Sequence, residues 1–132
     1  MTGVQSTIAV LTSGGDAPGM NAAIVAVVKT AAAEGWKVLG VEDGYDGLIE
    51  ARWTELSMMS VDDVSREGGT FLRSARSSTF RTVEGRARAA NNLLAVGCEV
   101  LVVIGGNGSL TGAKIFGEES GIRVVGIPAS ID

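Results

Sequence analysis

The chain has 132 residues, 45% of them hydrophobic and 20% charged, which fits a single folded domain with a real core and excludes a disordered chain. Its net charge of −4 argues against nucleic acid as a partner, since that would call for a basic face. There is no histidine, so imidazole bases and histidine-held metals are excluded, and the one cysteine, Cys98, cannot form an internal disulfide.

The single cysteine fits a reducing cytoplasm, and Cys98 reads as a small buried apolar residue. No apolar run has membrane-spanning length, so no membrane is expected. Residues 1–5 are polar and read as a short leader without signal-peptide character. Residues 6–132 are expected to form one unit.

Residues 7–12 are a continuous apolar run, the pattern of a parallel strand covered on both faces. A Gly-rich loop follows. Residues 20–34 are predicted helical, with Ile24, Val27, Val28 and Ala31 on one face and Gly35 as the stop. Residues 37–41 are a second strand, and residues 43–47 read as a turn-rich exit. Residues 52–56 suggest a short edge strand. Ser60-Val61-Asp62-Asp63 resembles a capped helix start, with that helix ending at Gly68-Gly69.

Residues 69–82 have no clean period but hold Arg73, Arg76 and Arg81. A helix is predicted over 83–96, with Ala87, Ala90, Leu93 and Leu94 apolar and Gly97 as its C-cap. Residues 100–104 form the most apolar strand, residues 109–119 a helix, and residues 123–127 the last strand. Strands alternating with helices imply right-handed crossovers. The fold class is therefore α/β, a Rossmann-like three-layer sandwich with a mainly parallel sheet.

Three strand exits carry the candidate chemistry. Gly14-Gly15-Asp16-Ala17-Pro18-Gly19 joins a strand to a helix N-terminus, where glycines let backbone approach a phosphate and the helix dipole favours the anion. A tight turn with Pro18 at the helix start is the alternative. Gly105-Gly106-Asn107-Gly108-Ser109 repeats the pattern. Its alternative is a turn with Asn107 left-handed and Ser109 as N-cap. Two such loops could face one crevice at a topological switch point. The arginines are either scattered surface charges or a phosphate clamp. Asp132, just past the last strand, reads as a general base, a divalent-cation ligand or a solvated turn residue. Asp16 has the same alternatives, plus helix capping.

Taken together these residues resemble the 6-phosphofructokinases. The matching segments are Thr12 through Asn21, Asp43-Gly44-Tyr45, Gly68-Gly69-Thr70-Phe71-Leu72 with Ser74-Ala75-Arg76, Gly105 through Ser109, and Pro128-Ala129-Ser130-Ile131-Asp132. They occur in the family's order and spacing over about residues 6–132. The resemblance implies transfer of the γ-phosphoryl of ATP to the 1-hydroxyl of fructose 6-phosphate in glycolysis, with Mg²⁺. It implies that Gly14 lies against the transferred phosphoryl, that Arg76 bridges phosphates and that Ser77 lies by the nucleotide. Gly106, Asn107, Gly108 and Ser109 would hold the nucleotide phosphates. Ser130 and Ile131 would line the sugar, and Asp132 would accept the hydroxyl proton. It also implies a cytoplasmic enzyme, commonly a homotetramer.

The small Gly108 favours ATP over pyrophosphate, whose users carry Asp there. Asn107 stands where the family has a magnesium-serving Asp, and an amide offers an oxygen without charge. Ile24, Val28 and Met58 stand at positions equated with the bacterial effector arginines, so bacterial-style control by ADP and phosphoenolpyruvate is not expected. The family continues beyond the residue matching Asp132 into a sugar-phosphate part. This chain therefore reads as a nucleotide-binding lobe, inactive alone. The rivals are a pyrophosphate-dependent relative, a related NAD or lipid kinase, and a non-catalytic nucleotide-binding piece.

Overall fold

The computed structural model of the protein describes residues 6–14, 19–61, 72 and 77–129. Five strands form one sheet: β1 (Thr7–Ser13), β2 (Lys37–Val41), β3 (Trp53–Leu56), β4 (Cys98–Gly105) and β5 (Arg123–Pro128). Their spatial order is β3-β2-β1-β4-β5. All neighbours run parallel except β3, which pairs antiparallel with β2 at one edge. The helices are α1 (Met20–Glu34), α2 (Tyr45–Glu50), α3 (Met58–Val61), α4 (Val83–Ala95) and α5 (Asn107–Ser120), with a 3-10 turn at Thr79–Arg81.

Strand pleating decides the layers. Every residue of β1 is buried, and successive side chains leave on opposite faces. Ile8 and Val10 enter a core with Ile24 and Val28 of α1. Ala9 and Leu11 enter a second core with Leu48, Leu93 and Phe116 of α2, α4 and α5. The result is the expected three-layer α/β sandwich. Bidentate pairing of Arg86 with Glu119, at 2.6 and 3.0 Å, ties α4 to α5.

The sheet order reverses beside β1. β2 lies on one side of it and β4 on the other, so the carboxyl ends of β1 and β4 adjoin at a switch point.

Several sequence expectations need correction. Residues 43–47 do not form only a turn. Asp43 at φ 59° and Gly44 at φ 61° reverse the chain, and α2 then begins at Tyr45, burying Tyr45, Leu48 and Ile49. The helix expected from Ser60 starts two residues earlier, at Met58. The rest of that helix, to Gly69, lies outside the described residues, as do the leader at 1–5 and Pro18.

Helix α4 buries Gly85, Ala89, Ala90 and Leu93, while Ala87 and Leu94 face solvent. The buried row 85-89-93 is an i, i+4 stripe aimed at α2 and α5, one step around the helix from the predicted face. The helix ends as predicted on a left-handed glycine, Gly97 at φ 73°, one residue past its C-cap Val96. Ile24 and Val28 are 0% and 1% exposed, so neither position can face an effector. Their apolarity reflects the core and carries no information about regulation.

Candidate functional site

The site starts from one pairing, Ser13 opposite Gly105 at the ends of β1 and β4. Gly105 has no room for a side chain. A Cβ there would lie 2.6 Å from the Ser13 carbonyl oxygen and 3.0 Å from Ser109 Cβ. Glycine thus lets the first turn of α5 settle onto the end of β1. Gly14 follows Ser13 at φ 94°, a left-handed conformation that favours glycine, and its Cβ position lies 3.6 Å from Ser109 Oγ. Gly14 of the first glycine loop and Gly105 of the other therefore adjoin at the carboxyl ends of β1 and β4.

Ser109 is gripped at both ends. Its hydroxyl shares a hydrogen bond with the Ser13 hydroxyl at 2.9 Å. Its carbonyl accepts from the Tyr45 phenol at 2.6 Å. Burial pushes the Tyr45 phenol far above the ordinary tyrosine range, which keeps it a neutral donor. The Tyr45 ring stacks on Phe80, with centroids 3.8 Å apart and planes 11° off parallel. Phe80 is in turn anchored by Phe116, centroids 5.6 Å apart. Its N–H donates to the Ser77 hydroxyl at 3.1 Å. Ser77 is thus linked to Ser109 through Phe80 and Tyr45.

The start of α5 is open. Gly106 is its N-cap and supplies no side-chain hydrogen bond. Asn107 and Gly108 are exposed. This corrects two expectations. Ser109 is not the N-cap but lies inside the helix, because its hydroxyl is taken by Ser13. Asn107 is not left-handed but is the first helical residue. Gly108 has room for a Cβ, since nothing described lies within 4 Å of that position. The same holds for Gly106. The fold itself explains Gly14 and Gly105 but not these two.

Of the remaining candidates, Arg81 is exposed at the end of the 3-10 turn. Asp16, Arg73, Arg76, Ser130, Ile131 and Asp132 lie outside the described residues. The chain leaving β5 is fixed up to Ala129, whose N–H donates to the Gly105 carbonyl at 3.1 Å. Among the described residues no three of His, Cys, Asp and Glu gather to hold a metal. No helix among them is long and apolar enough to cross a membrane. Cys98 is buried, and burial raises its thiol pKa, as expected of a packing residue.

Sequence reasoning gave Ser13 and Tyr45 no role. Each was quoted only within a longer motif. The usable signal was position: both polar groups close the carboxyl ends of neighbouring apolar strands.

Comparison with known proteins matches this arrangement. Residues 7–132 match the family model described as Phosphofructokinase. An ATP-dependent 6-phosphofructokinase of Actinobacillus succinogenes is 57% identical over 125 residues, covering 95% of this chain and 39% of the relative. One from Clostridium botulinum is 55% identical over 126 residues, with 96% and 39% covered. This chain thus spans about 39% of the length of these relatives. The phosphofructokinase structure from Saccharomyces cerevisiae superposes with a TM-score of 0.92 at 40% identity, covering 97% of this chain and 20% of that one. A family match that takes in both glycine loops and every strand of the sheet carries one conclusion: this chain belongs to the phosphofructokinase family.

Proposed function

We propose that this protein supplies the nucleotide side of an ATP-dependent 6-phosphofructokinase, which moves the γ-phosphoryl of ATP to the 1-hydroxyl of fructose 6-phosphate in the cytoplasm. The observation that carries the reading is the uncapped start of α5 beside the β1 loop, at the switch point of the sheet. Uncapped N–H groups and the positive end of the helix dipole suit a polyphosphate. Gly106 and Gly108 leave space that no described atom fills. The names of the relatives favour ATP as the donor.

In this reading Gly14, Gly106, Asn107, Gly108 and Ser109 cradle the phosphates, with Arg76 and Ser77 beside them. Ser130 and Ile131 line the sugar, and Asp132 takes the proton of the attacking hydroxyl. Phosphoryl transfer asks mainly for positioning and charge stabilisation, which backbone N–H groups and arginines provide. Magnesium fits as a hydrated ion carried on the nucleotide phosphates, for which the exposed Asn107 offers one neutral oxygen. The ion would neutralise charge developing on the phosphoryl oxygens.

Titration calorimetry with Mg-ATP, run beside a coupled assay with fructose 6-phosphate, tests this. The 132-residue chain should bind Mg-ATP. It should not turn over, because most of the relatives' length lies outside the match and positioning of the sugar can supply about 7–11 kcal/mol of the barrier reduction. Absence of Mg-ATP binding would overturn the nucleotide assignment. Turnover well above an Asp132→Asn control would overturn the expectation of an inactive chain.

A further inference from the structure

We propose that Ser13 is a positioning residue, acting on a bound phosphate through Ser109; this rests on the nucleotide reading above. Ser13 is 4% exposed, so it has almost no surface to offer a ligand directly. Its hydroxyl nevertheless meets that of Ser109 at 2.9 Å, across 96 residues of sequence. Ser109 is half-buried, and its Oγ lies 3.6 Å from where a Cβ on Gly14 would stand.

A pair of hydroxyls can reverse direction. Each carries one rotatable proton and two lone pairs. At 2.9 Å between oxygens either hydroxyl can be the donor, and without a ligand Ser109 is free to donate to Ser13. An anion at the start of α5 takes the Ser109 proton as a hydrogen-bond donor. Ser13 then rotates its own proton toward Ser109 Oγ, so that no lone pair faces another. Ser109 is polarised by the bond it accepts and donates more strongly. The heavy atoms need not move, because the Tyr45 phenol holds the Ser109 carbonyl at 2.6 Å throughout. Only protons reorient, so the cradle is formed before the ligand arrives.

The test is a double-mutant cycle on Mg-ATP affinity, with Ser13→Ala, Ser109→Ala and the double variant, read by calorimetry on the 132-residue chain. Amide exchange at Leu110 to Ala113 is measured without ligand in the same proteins. Ser13→Ala is expected to weaken Mg-ATP binding about three- to tenfold, the size of one modest hydrogen bond. That effect should disappear in the Ser109→Ala background. Ser13→Thr, which keeps the hydroxyl on a strand, should restore most of the affinity. Exchange at Leu110 to Ala113 should quicken in Ser13→Ala while α1 is unchanged. Equal losses from Ser13→Ala in both backgrounds would overturn the proposal, as would unchanged affinity. If the wild-type chain binds no Mg-ATP, the nucleotide reading fails. The exchange measurement then decides the positioning role separately: unaltered exchange in Ser13→Ala rejects it.

Discussion

Helices α4 and α5 meet the same local problem with opposite outcomes. The first turn of any helix leaves N–H groups without partners. At α4, Thr82 Oγ1 accepts from the Gly85 N–H at 2.9 Å, and Glu84 adds a favourable negative charge in the first turn. At α5, Gly106 offers no side-chain oxygen, and the first turn contains no acidic residue. Both helices lie on the same face of the sheet and pack in the same core. Only their surroundings differ. The start of α4 closes over the 3-10 turn at Thr79–Arg81, whereas α5 springs from β4 at the switch point. The chain closes one helix end with its own side chain and leaves the other without one. Backbone there is held from beneath, through Ser13 and Tyr45, not from the solvent side.

The largest expected effect comes from placing a charge at the open end. Gly108→Asp should lower Mg-ATP affinity roughly fivefold to several-hundredfold, the range of about 1–4 kcal/mol for like charges near contact. Folding stability should hardly fall, because a Cβ at Gly108 meets nothing described within 4 Å. Equal affinities by calorimetry would show that the open end of α5 does not face the nucleotide. Gly105→Ala should behave in the opposite way. Its Cβ would press on the Ser13 carbonyl at 2.6 Å, so the start of α5 must lift from β1. Destabilisation of about 1–3 kcal/mol, the usual cost of overpacking, is expected in urea unfolding. An unshifted midpoint would mean that the contact relaxes at no cost.

These contrasts also show what the sequence could and could not convey. β1, β2, β4 and β5 were legible because continuous apolar runs have few other uses in a polar chain. Helix α1 was legible to both ends, since its periodicity and Gly35 agree. Helix α2 was not. It has six residues, and its stability is tertiary: Tyr45, Leu48 and Ile49 are buried, and Asn92 donates to the Leu48 and Ile49 carbonyls at 2.9 Å. Nothing within residues 43–50 announces a partner at position 92. Ser109 misled for a similar reason. A serine near a helix start normally reads as a cap, but this one bonds across the fold to Ser13. The two strand ends that carry the glycine loops were legible, and they do adjoin. Which of their glycines the fold requires was not, because that depends on what β1 brings alongside.

A smaller effect is expected at the closed helix end. Thr82→Ala removes the cap of α4 and should cost about 1 kcal/mol, within the usual 0.5–2 kcal/mol for such caps. Mg-ATP affinity should stay within error, since Thr82 lies far along the chain from the α5 start and closes a different helix. A loss of affinity alongside the loss of stability would show that the two helix ends are coupled, and the contrast between them would fail.

The smallest change in stability should come from giving α5 the cap it lacks. Gly106 has φ −88° and ψ −172°, extended backbone that any residue adopts and that suits an N-cap. A serine there has room, as nothing described lies within 4 Å of its Cβ. Its hydroxyl would accept from the N–H of Gly108 or Ser109. Gly106→Ser should therefore raise stability by a few tenths of a kcal/mol, the typical margin of serine over glycine at this position. The same bond occupies an N–H group that the nucleotide reading assigns to phosphate. Affinity for Mg-ATP should fall severalfold while the melting midpoint rises. Thr82→Ala and Gly106→Ser then form a matched pair, one removing a cap with no effect on ligand and one adding a cap at the ligand's expense. A Gly106→Ser chain that gains stability and keeps full affinity would show that the open amides of α5 are not what holds the phosphates.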